Sequence, residues 1–553
     1  MTRSVNGFLG TYDTLAAITL ARNPGDYAGC SANIGTAAPY DKAWCDGNMW
    51  YVTTHTSNVY YVPNATGTGS IDTSNFSAAL SSNASVIQFG VGTYIFNSAI
   101  TKSVVNKTIR GVSKELTILK RANSSTFDNV IVSLAGASGC IIEDLTIDCN
   151  ASNSSNTYCG FLKADTLANI TTTFTLRNTN CINGRFNLLR LYPGSTDIRI
   201  HNNYFYNWED VIFECTPWTY GKVYDNVFKD YKTAPTYASA TGPAFMFYPG
   251  CNGWTINANT FLPAKVTVGE FTLEWISGGT STGITISGNT FDARNALNGN
   301  YIGTGISGFI SYSTIVGNTW ANGRGGSIDT GVEINGDYNT ITGNNFYDGQ
   351  ISLTGQGNSV VGNTFVTTRT AATSPVSSSE SIACFGITDS LIANNVFRYP
   401  GSSSFGGWAI KHFSGTNSRN TYSGNTFYLS NDLTAGISFE FGTGDQNVIT
   451  NNNIFKPNYG IYLIAGYTNT VVSNNIIVDG GGAGGSPIVD SGTATLKWNN
   501  RLSSTAPFNL SLSSSVTPVS NGDLAFQATS NTSLTFKYKG SDGTVRSGSV
   551  TLT

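Results

Sequence analysis

The chain is poor in charge, in histidine and in long apolar runs. Charged residues make up 11% of its 553 residues, and the net charge is −3. No basic stripe is present, which removes the electrostatic footprint of a nucleic-acid binder. No apolar stretch approaches the ~18 residues of a membrane span. The opening MTRSVNGFLGTYDTL lacks the basic-then-apolar pattern of a secretory leader, so the sequence reads as a protein that folds in the cytoplasm and leaves by another route. The three histidines, His55, His201 and His412, argue against a His-rich metal site and against a Ser-His-Asp hydrolase. Asp148 with Asn150 lacks EF-hand spacing, and Gly480–Gly485 has no Lys-Ser/Thr and helix behind it, so it reads as a loop and not a phosphate cradle. The sequence therefore asks for no cofactor and no metal. Nine cysteines form no CxxC pair, and free buried thiols are expected; Cys215, alternating with Phe213 and Val211, reads as a small core filler.

What is abundant is Gly, Ser, Thr and Asn, arranged in a repeat. Its full form is apolar-x-apolar-x-Gly-Asn-x-Phe, as in Ile284–Phe291. The Asn recurs at Asn180, Asn203, Asn226, Asn259, Asn289, Asn318, Asn344, Asn363, Asn395, Asn425, Asn453, Asn475 and Asn500. Those twelve steps average about 27 residues, a period of stacked units. Alternation of apolar residues puts one strand face inward, and Gly-Asn supplies a tight turn because both tolerate left-handed backbone. The aromatic two places on runs from Phe205 through Phe228, Phe261, Phe291, Trp320, Phe346, Phe365, Phe397 and Phe427 to Phe455, then becomes Ile477 and Leu502. Stacking would turn these into an internal aromatic ladder beside an Asn ladder. The pattern predicts a parallel β-helix with variable loops.

Residues 1–62 lie outside the repeat and read as a small β-rich module, followed by a Gly/Thr/Ser-rich link at 63–70. Asp72–Ser82 reads as a short amphipathic helix with an Asp/Thr N-cap, burying Phe76, Ala79 and Leu80 over the open end of the solenoid. The first strands are expected within Val86–Thr101, Lys107–Lys120 and Cys140–Cys149. Residues 71–502 form the solenoid body. Residues 503–553 leave the repeat: a Ser/Thr/Pro-rich stretch, then strands near Leu524–Thr529, Leu534–Tyr538 and Val545–Leu552, with a hairpin turn at Asp542-Gly543.

The order of an Asp-Thr helix, GTYIF, KTIRGVS, IIEDLTID and then Asn-turn coils resembles the pectate-lyase-like right-handed β-helix used by phage tailspikes and tail fibres. The terminal segments resemble a virion adaptor (1–62) and the closing segment of tail-fibre proteins (522–553). This resemblance implies a homotrimer in a phage tail, docked to a tail, baseplate or adaptor protein and acting at the host's outer surface on a polysaccharide (capsule or O-antigen). The motifs carrying it are structural and name no catalytic set.

Chemistry is sought on the outward strand positions. Arg190, Glu214, Glu274, Glu333, Lys411, Glu440 and Tyr462 lie beside apolar residues, 11 to 15 places ahead of their coil's Asn, and are expected in one outer row. Glu214, Glu274 and Glu333 fall two coils apart, about 9.6 Å at the β spacing. Inverting glycosidases use carboxyls roughly 6.5–9.5 Å apart. The expected catalytic set is Glu333 with Asp329 or Asp337, together with Glu274; ordinary solvated carboxylates are the alternative. A lyase would draw on Arg190, Lys411, His412 and Tyr462, and a non-catalytic receptor-binding fibre would need no such set. A further cluster holds Tyr204, Tyr206, Trp208, Trp218, Tyr220 and Tyr224 with Glu209, Asp210 and Glu214. Two readings stand: a sugar platform, or packing under a loop or between chains. Trp208, Glu214, Trp218, Tyr220, Arg190 and Glu440 are the expected substrate-binding residues. Trp275 reads as core.

Overall fold

The computed structural model describes residues 58–553 except 155, 157, 166–169, 232–242, 264–271, 295–304, 322–328, 368–379, 400–407, 430–434, 458, 479–486, 504–523, 531–532 and 552–553. For 8–12, 31–34, 41–45, 50–53, 329–330, 435, 503, 524–530, 533–534 and 550–551 only the backbone is described.

Each Asn-turn unit folds as one rung of a right-handed parallel β-helix. Residues 340–356 show how. Thr340–Thr342 joins sheet 1, Asn345–Tyr347 joins sheet 2 and Gly349–Gln356 joins sheet 3. Stacked in parallel, such strands build sheets of 17, 16 and 15 strands respectively. Sheet 1 turns an unbroken apolar column inward: Ile256, Ile286, Ile315, Ile341, Val360 and Ile392 pair in register and are fully buried. Sheet 2 contributes the aromatic column. From Phe205 to Phe427 its rings stack at centroid distances of 4.5 to 5.1 Å.

The turn between sheets 1 and 2 explains the repeat. The residue before each ladder Asn is left-handed, as at Gly343 (φ 64°), and from Asn203 to Asn475 the Asn side chain is buried. Asn344 shows the wiring. Its Nδ2 donates to the Ile315 carbonyl at 2.9 Å and to Oδ1 of Asn363 at 2.9 Å, and its Oδ1 accepts from the Asn318 backbone at 2.8 Å. Every amide thus bonds the rung on either side. The register corrects the sequence reading at both ends. Thr179, not Asn180, bonds Asn203, and Asn452, not Asn453, receives Asn425. Ile454 therefore continues the inner column under Phe427, while Phe455 faces outward and stacks on Tyr428 at 5.4 Å.

A second amide ladder, unread in the sequence, lines the turn from sheet 3 to sheet 1. It runs Ser313, Asn339, Asn358, Ser390, Asn420 and Asn447, each backbone N–H donating to the next side chain.

The first rung begins at Val59–Tyr61, which pairs with Val86–Gln88, inside the segment read as the N-terminal module. The helix runs Gly69–Ser81 and buries Phe76, Ala79 and Leu80 as expected. Asp72 is not its N-cap. It lies within the first turn, where its carboxylate accepts from the Thr66 backbone at 3.0 Å and the Ile95 backbone at 3.0 Å, tying the entry loop to the first rungs. Ahead of it, Phe8–Tyr12, Ser31–Ile34, Asp41–Cys45 and Trp50–Thr53 form a four-stranded sheet. Cys140, Cys149, Cys159, Cys181, Cys215, Cys251 and Cys384 are free and buried, and burial pushes the thiols of Cys140, Cys181 and Cys251 up to about 12. Cys30 and Cys45 have no described side chain.

A separate unit, Leu502–Thr553, holds an antiparallel sheet of Leu524–Ser530, Ser533–Lys539 and Val545–Thr551. The Asp542-Gly543 turn joins the last two strands, with Gly543 at φ 74° and Asp542 paired to Arg546 at 2.6 Å.

The adjacent pair Asn344 and Asn345 separates ladder from surface. Asn344 is buried in the relay, whereas Asn345 is exposed. Asn344→Ala is expected to lose on the order of 3 kcal/mol, since several buried partners lose their bonds, and Asn345→Ala less than about 0.5 kcal/mol. Thermal unfolding of the two variants by circular dichroism measures the difference.

Candidate functional site

Sheet 3 is the broadest face of the solenoid. Asp329–Asn335, Gly349–Gln356, Ile382–Thr388 and Trp408–Ser414 are seven or eight residues long, against three in most rungs of sheet 1. Alternation turns Leu and Ile inward and sends one residue per strand out. The outward row runs Lys163, Arg190, Glu214, Met246, Glu274, Ser307, Glu333, Ser352, Ala383, Lys411, Ser438 and Tyr462. Glu214, Glu274 and Glu333 thus stand on alternate rungs, as their spacing implied. Glu440 does not belong to the row: Ser438 holds that register, and Glu440 follows two places on, past the strand end.

Each row member has its own environment. Arg190 pairs with Asp165 at 3.2 Å and lies over the Tyr158 ring at 4.7 Å, and Lys163 shares Asp165 at 3.8 Å. Glu214 accepts from Asn187 Nδ2 at 2.6 Å and from the Tyr248 hydroxyl at 2.8 Å. Burial, then that bond to Glu214, pushes the Tyr248 hydroxyl up to about 12. Glu274 is half-buried between Met246 and Ser307. Glu333 accepts from Asn335 Nδ2 at 3.2 Å.

The expected local partners of Glu333 are placed differently. Asp329 lies on the same strand four residues earlier, about 13 Å away in extended backbone, and its side chain is outside the described residues. Asp337 lies beyond the strand, where its Oδ1 accepts from the Gln356 backbone at 2.9 Å and pins a turn. Glu274 is the carboxylate that shares the row with Glu333.

The aromatic cluster read from the sequence is spread over the solenoid. Trp208 and Trp218 are fully buried, their indole N–H groups donating to the carbonyls of Val211 (3.3 Å) and Leu191 (3.4 Å), so neither offers a face to a ligand. A Cβ on Gly184 would sit 2.1 Å from the Trp208 ring, which is why that position is glycine. Tyr220 is exposed on a left-handed turn (φ 56°). Tyr204 and Tyr206 stack on the outer face of sheet 2, and Tyr224 stacks on His201 on sheet 1. Alternation and turns send these neighbours in sequence to three different faces. Trp275 is core, as read.

The residues weighed for elimination chemistry are also dispersed. His412 is buried, stacks on Phe439 at 4.3 Å and bonds the Tyr422 hydroxyl at 2.7 Å; desolvation lowers its pKa to about 4 and keeps it neutral. Tyr462 stays in the outer row, two rungs beyond Lys411.

One strong feature was missed. Lys411 lies on the outward row yet is buried, held 3.6 Å from Glu380 and 3.3 Å from Glu440. Glu380 has the parity of inward residues, two before buried Ile382, whereas the charges read from the sequence are those at outward positions. A carboxylate at inward parity beside a strand was the available signal. Among the described residues, no three or more His, Cys, Asp and Glu side chains gather as a metal would need, and no helix is long and apolar enough to cross a membrane.

No family model and no curated protein matches the chain. Among solved structures, ORF18 of Geobacillus virus E2 is similar over 100% of both chains at 13% identity and TM-score 0.34. Tailspike protein 3 of bacteriophage CBA120 is similar over 91% of this chain and 71% of its own, at 12% identity and TM-score 0.37. The catalytic unit of a GH87 α-1,3-glucanase from Streptomyces thermodiastaticus is similar over 79% and 68%, at 13% identity and TM-score 0.35. All three likenesses are distant; the fold is established by the strand pairing itself.

Burial raises the Glu380 carboxyl to about 7 from 4.5, Lys411 opposing the shift and Glu440 adding to it. A carboxyl raised in the folded state contributes stability below its unfolded pKa and loses it as pH climbs through the folded value. Glu380→Gln is therefore expected to gain stability relative to the parent between pH 4.5 and 8, by on the order of 3 kcal/mol. Melting temperatures of both proteins across that range test this; parallel curves would contradict it.

Proposed function

We propose that the chain is the polysaccharide-binding tail spike of a bacterial virus, and that it hydrolyses the polymer it binds. The observation that carries this reading is the carboxylate row on the broad face of sheet 3, with Glu214, Glu274 and Glu333 on alternate rungs. A linear glycan laid along the solenoid axis meets them in turn. Two rungs separate neighbours by about 9.6 Å, at the upper edge of the carboxyl separation that leaves room for a water between sugar and base. In the paired role of Glu274 and Glu333, one carboxyl protonates the leaving glycosidic oxygen while the other takes a proton from water, whose oxygen bonds to the anomeric carbon. Glu214, fixed by Asn187 and Tyr248, then serves as a hydroxyl acceptor that orients the chain.

The terminal segments support the spike setting. Every described residue of 535–549 except Gly540 is exposed or half-exposed. A three-stranded layer needs a covered apolar face to be stable, which fits closure of a homotrimer by that segment. The residues ahead of the first rung at Val59–Tyr61 would dock the spike to the virion tail, leaving the solenoid to act at the host's outer surface.

Mass spectrometry of host surface polysaccharide after incubation is expected to show oligosaccharides one water heavier than the sum of their sugar units. Glu274→Gln and Glu333→Gln are each expected to slow this at least 100-fold while the glycan still binds. Fragments with an unsaturated uronate would mean elimination instead, and bound but intact glycan would mean a receptor-binding fibre. Sedimentation of the full chain is expected to give a trimer, and of a chain ending at residue 502 a monomer.

A further inference from the structure

Beyond the carboxylate row, three rungs past Glu333, lies a site of different chemistry. Lys411 is the outward residue of its strand, in register with Ala383 and Ser438. An outward lysine on a sheet normally reaches water, but this side chain is 5% exposed. Its Nζ sits 3.4 Å from the Trp408 ring centroid, 4.6 Å from Phe413 and 5.4 Å from Phe441. Glu380 is closed off completely, and neither of its oxygens has a hydrogen-bond partner. Glu440 alone opens to solvent, with its side chain 33% exposed and its Oε2 turned inward to the lysine. The two carboxyls are at most 6.9 Å apart, the sum of their contacts to Nζ. Around this triad Phe385 stacks on Phe413 at 5.0 Å, and Phe385 and Phe441 expose 37% and 47% of their surface.

A buried ion triad is a poor source of stability, because desolvation offsets the attraction. Its placement on an outer face, under aromatic rings, is the pattern of a binding site. We propose that Phe385, Phe413 and Phe441 with Glu440 form a saccharide subsite that takes an uncharged pyranose, separate from the Glu214–Glu274–Glu333 row. The sugar's C–H face lies on Phe441 and Phe385, and its hydroxyls donate to the Glu440 carboxylate. Lys411 is a positioning residue: its Nζ fixes the Glu440 carboxylate at 3.3 Å, and Glu380 holds the lysine from behind at 3.6 Å.

The charge arrangement selects the ligand class. Lys411 is already engaged by two carboxylates, so it offers no free cation to a uronate or phosphate. The exposed charge is negative and repels acidic sugars, while a carboxylate accepts well from hydroxyls. Glu380, titrating near neutrality, makes the triad most negative above about pH 7 and so sharpens the exclusion of anions there.

This inference rests on the polysaccharide-binding reading, and the test separates the two. The full chain is assayed by surface plasmon resonance against neutral and uronate-bearing bacterial surface polysaccharides. The parent is expected to bind a neutral polymer, and Phe441→Ala, Phe385→Ala and Glu440→Gln are each expected to weaken that binding about tenfold. Lys411→Met is expected to weaken it too and to change its pH profile near neutrality, which a purely structural role would not do. Circular dichroism and sedimentation of the two Phe variants are expected to match the parent. Folded Phe variants that bind as the parent does, or a parent that binds acidic polymers alone, would overturn the subsite and leave the spike function standing. A changed association state in the Phe variants would assign this face to contact between copies of the chain and overturn the subsite. A parent that binds no polysaccharide would overturn both.

Discussion

The structure depends on a carboxamide that cannot face water. At each turn between sheets 1 and 2 from Asn203 to Asn475 an asparagine is folded inward, and its amide is satisfied by the rung above, the rung below and a carbonyl of the neighbouring coil, as at Asn344. Burying so many amides is tolerable only because the relay leaves almost none unpaired. It also fixes register, because an amide displaced by one residue loses all its partners at once. With register fixed, the aromatic column stacks on one side and the apolar column on another. The outer faces inherit the same alignment. The carboxylates on sheet 3 line up because asparagines on a different edge of the coil do.

The repeat made the inside of the molecule legible. Each Gly-Asn-x-Phe reports a left-handed residue, a buried amide and an inward ring, all governed by short-range sterics and alternation. The misreadings have the same origin. Asn452 and Asn453 are chemically equal in sequence, and only the hydrogen bond from Asn425 tells them apart. Thr179 stands in the relay where the repeat pattern calls for asparagine, because a backbone N–H and a hydroxyl can make the same bonds to Asn203.

The outside was legible only where a strand is regular. Glu214, Glu274 and Glu333 are placed by alternation together with their distance from the coil's Asn. Trp208 and Trp218 are not: left-handed Asn207 (φ 55°) breaks the alternation just before Trp208, and Trp218 lies in the turn beyond Phe213–Cys215, where alternation no longer says which way a side chain points. Glu380 precedes its strand, and its inward parity marks it as unusual without saying what it meets. What gives it meaning is a lysine about 30 positions away in the chain, brought beside it by stacking. The partner in a long-range juxtaposition of this kind has no local signature.

The rung is also a unit of length. Within a sheet, two outward side chains in register are separated by a whole number of rungs, and no loop insertion changes that number by a fraction. Lengthening a loop alters the rim of the face but leaves the comb of carboxylates at fixed pitch. Deleting or duplicating one whole coil between Glu274 and Glu333 is the smallest step that respaces them. A solenoid of this kind is therefore a ruler with indivisible graduations, and what it measures along a polymer changes by jumps.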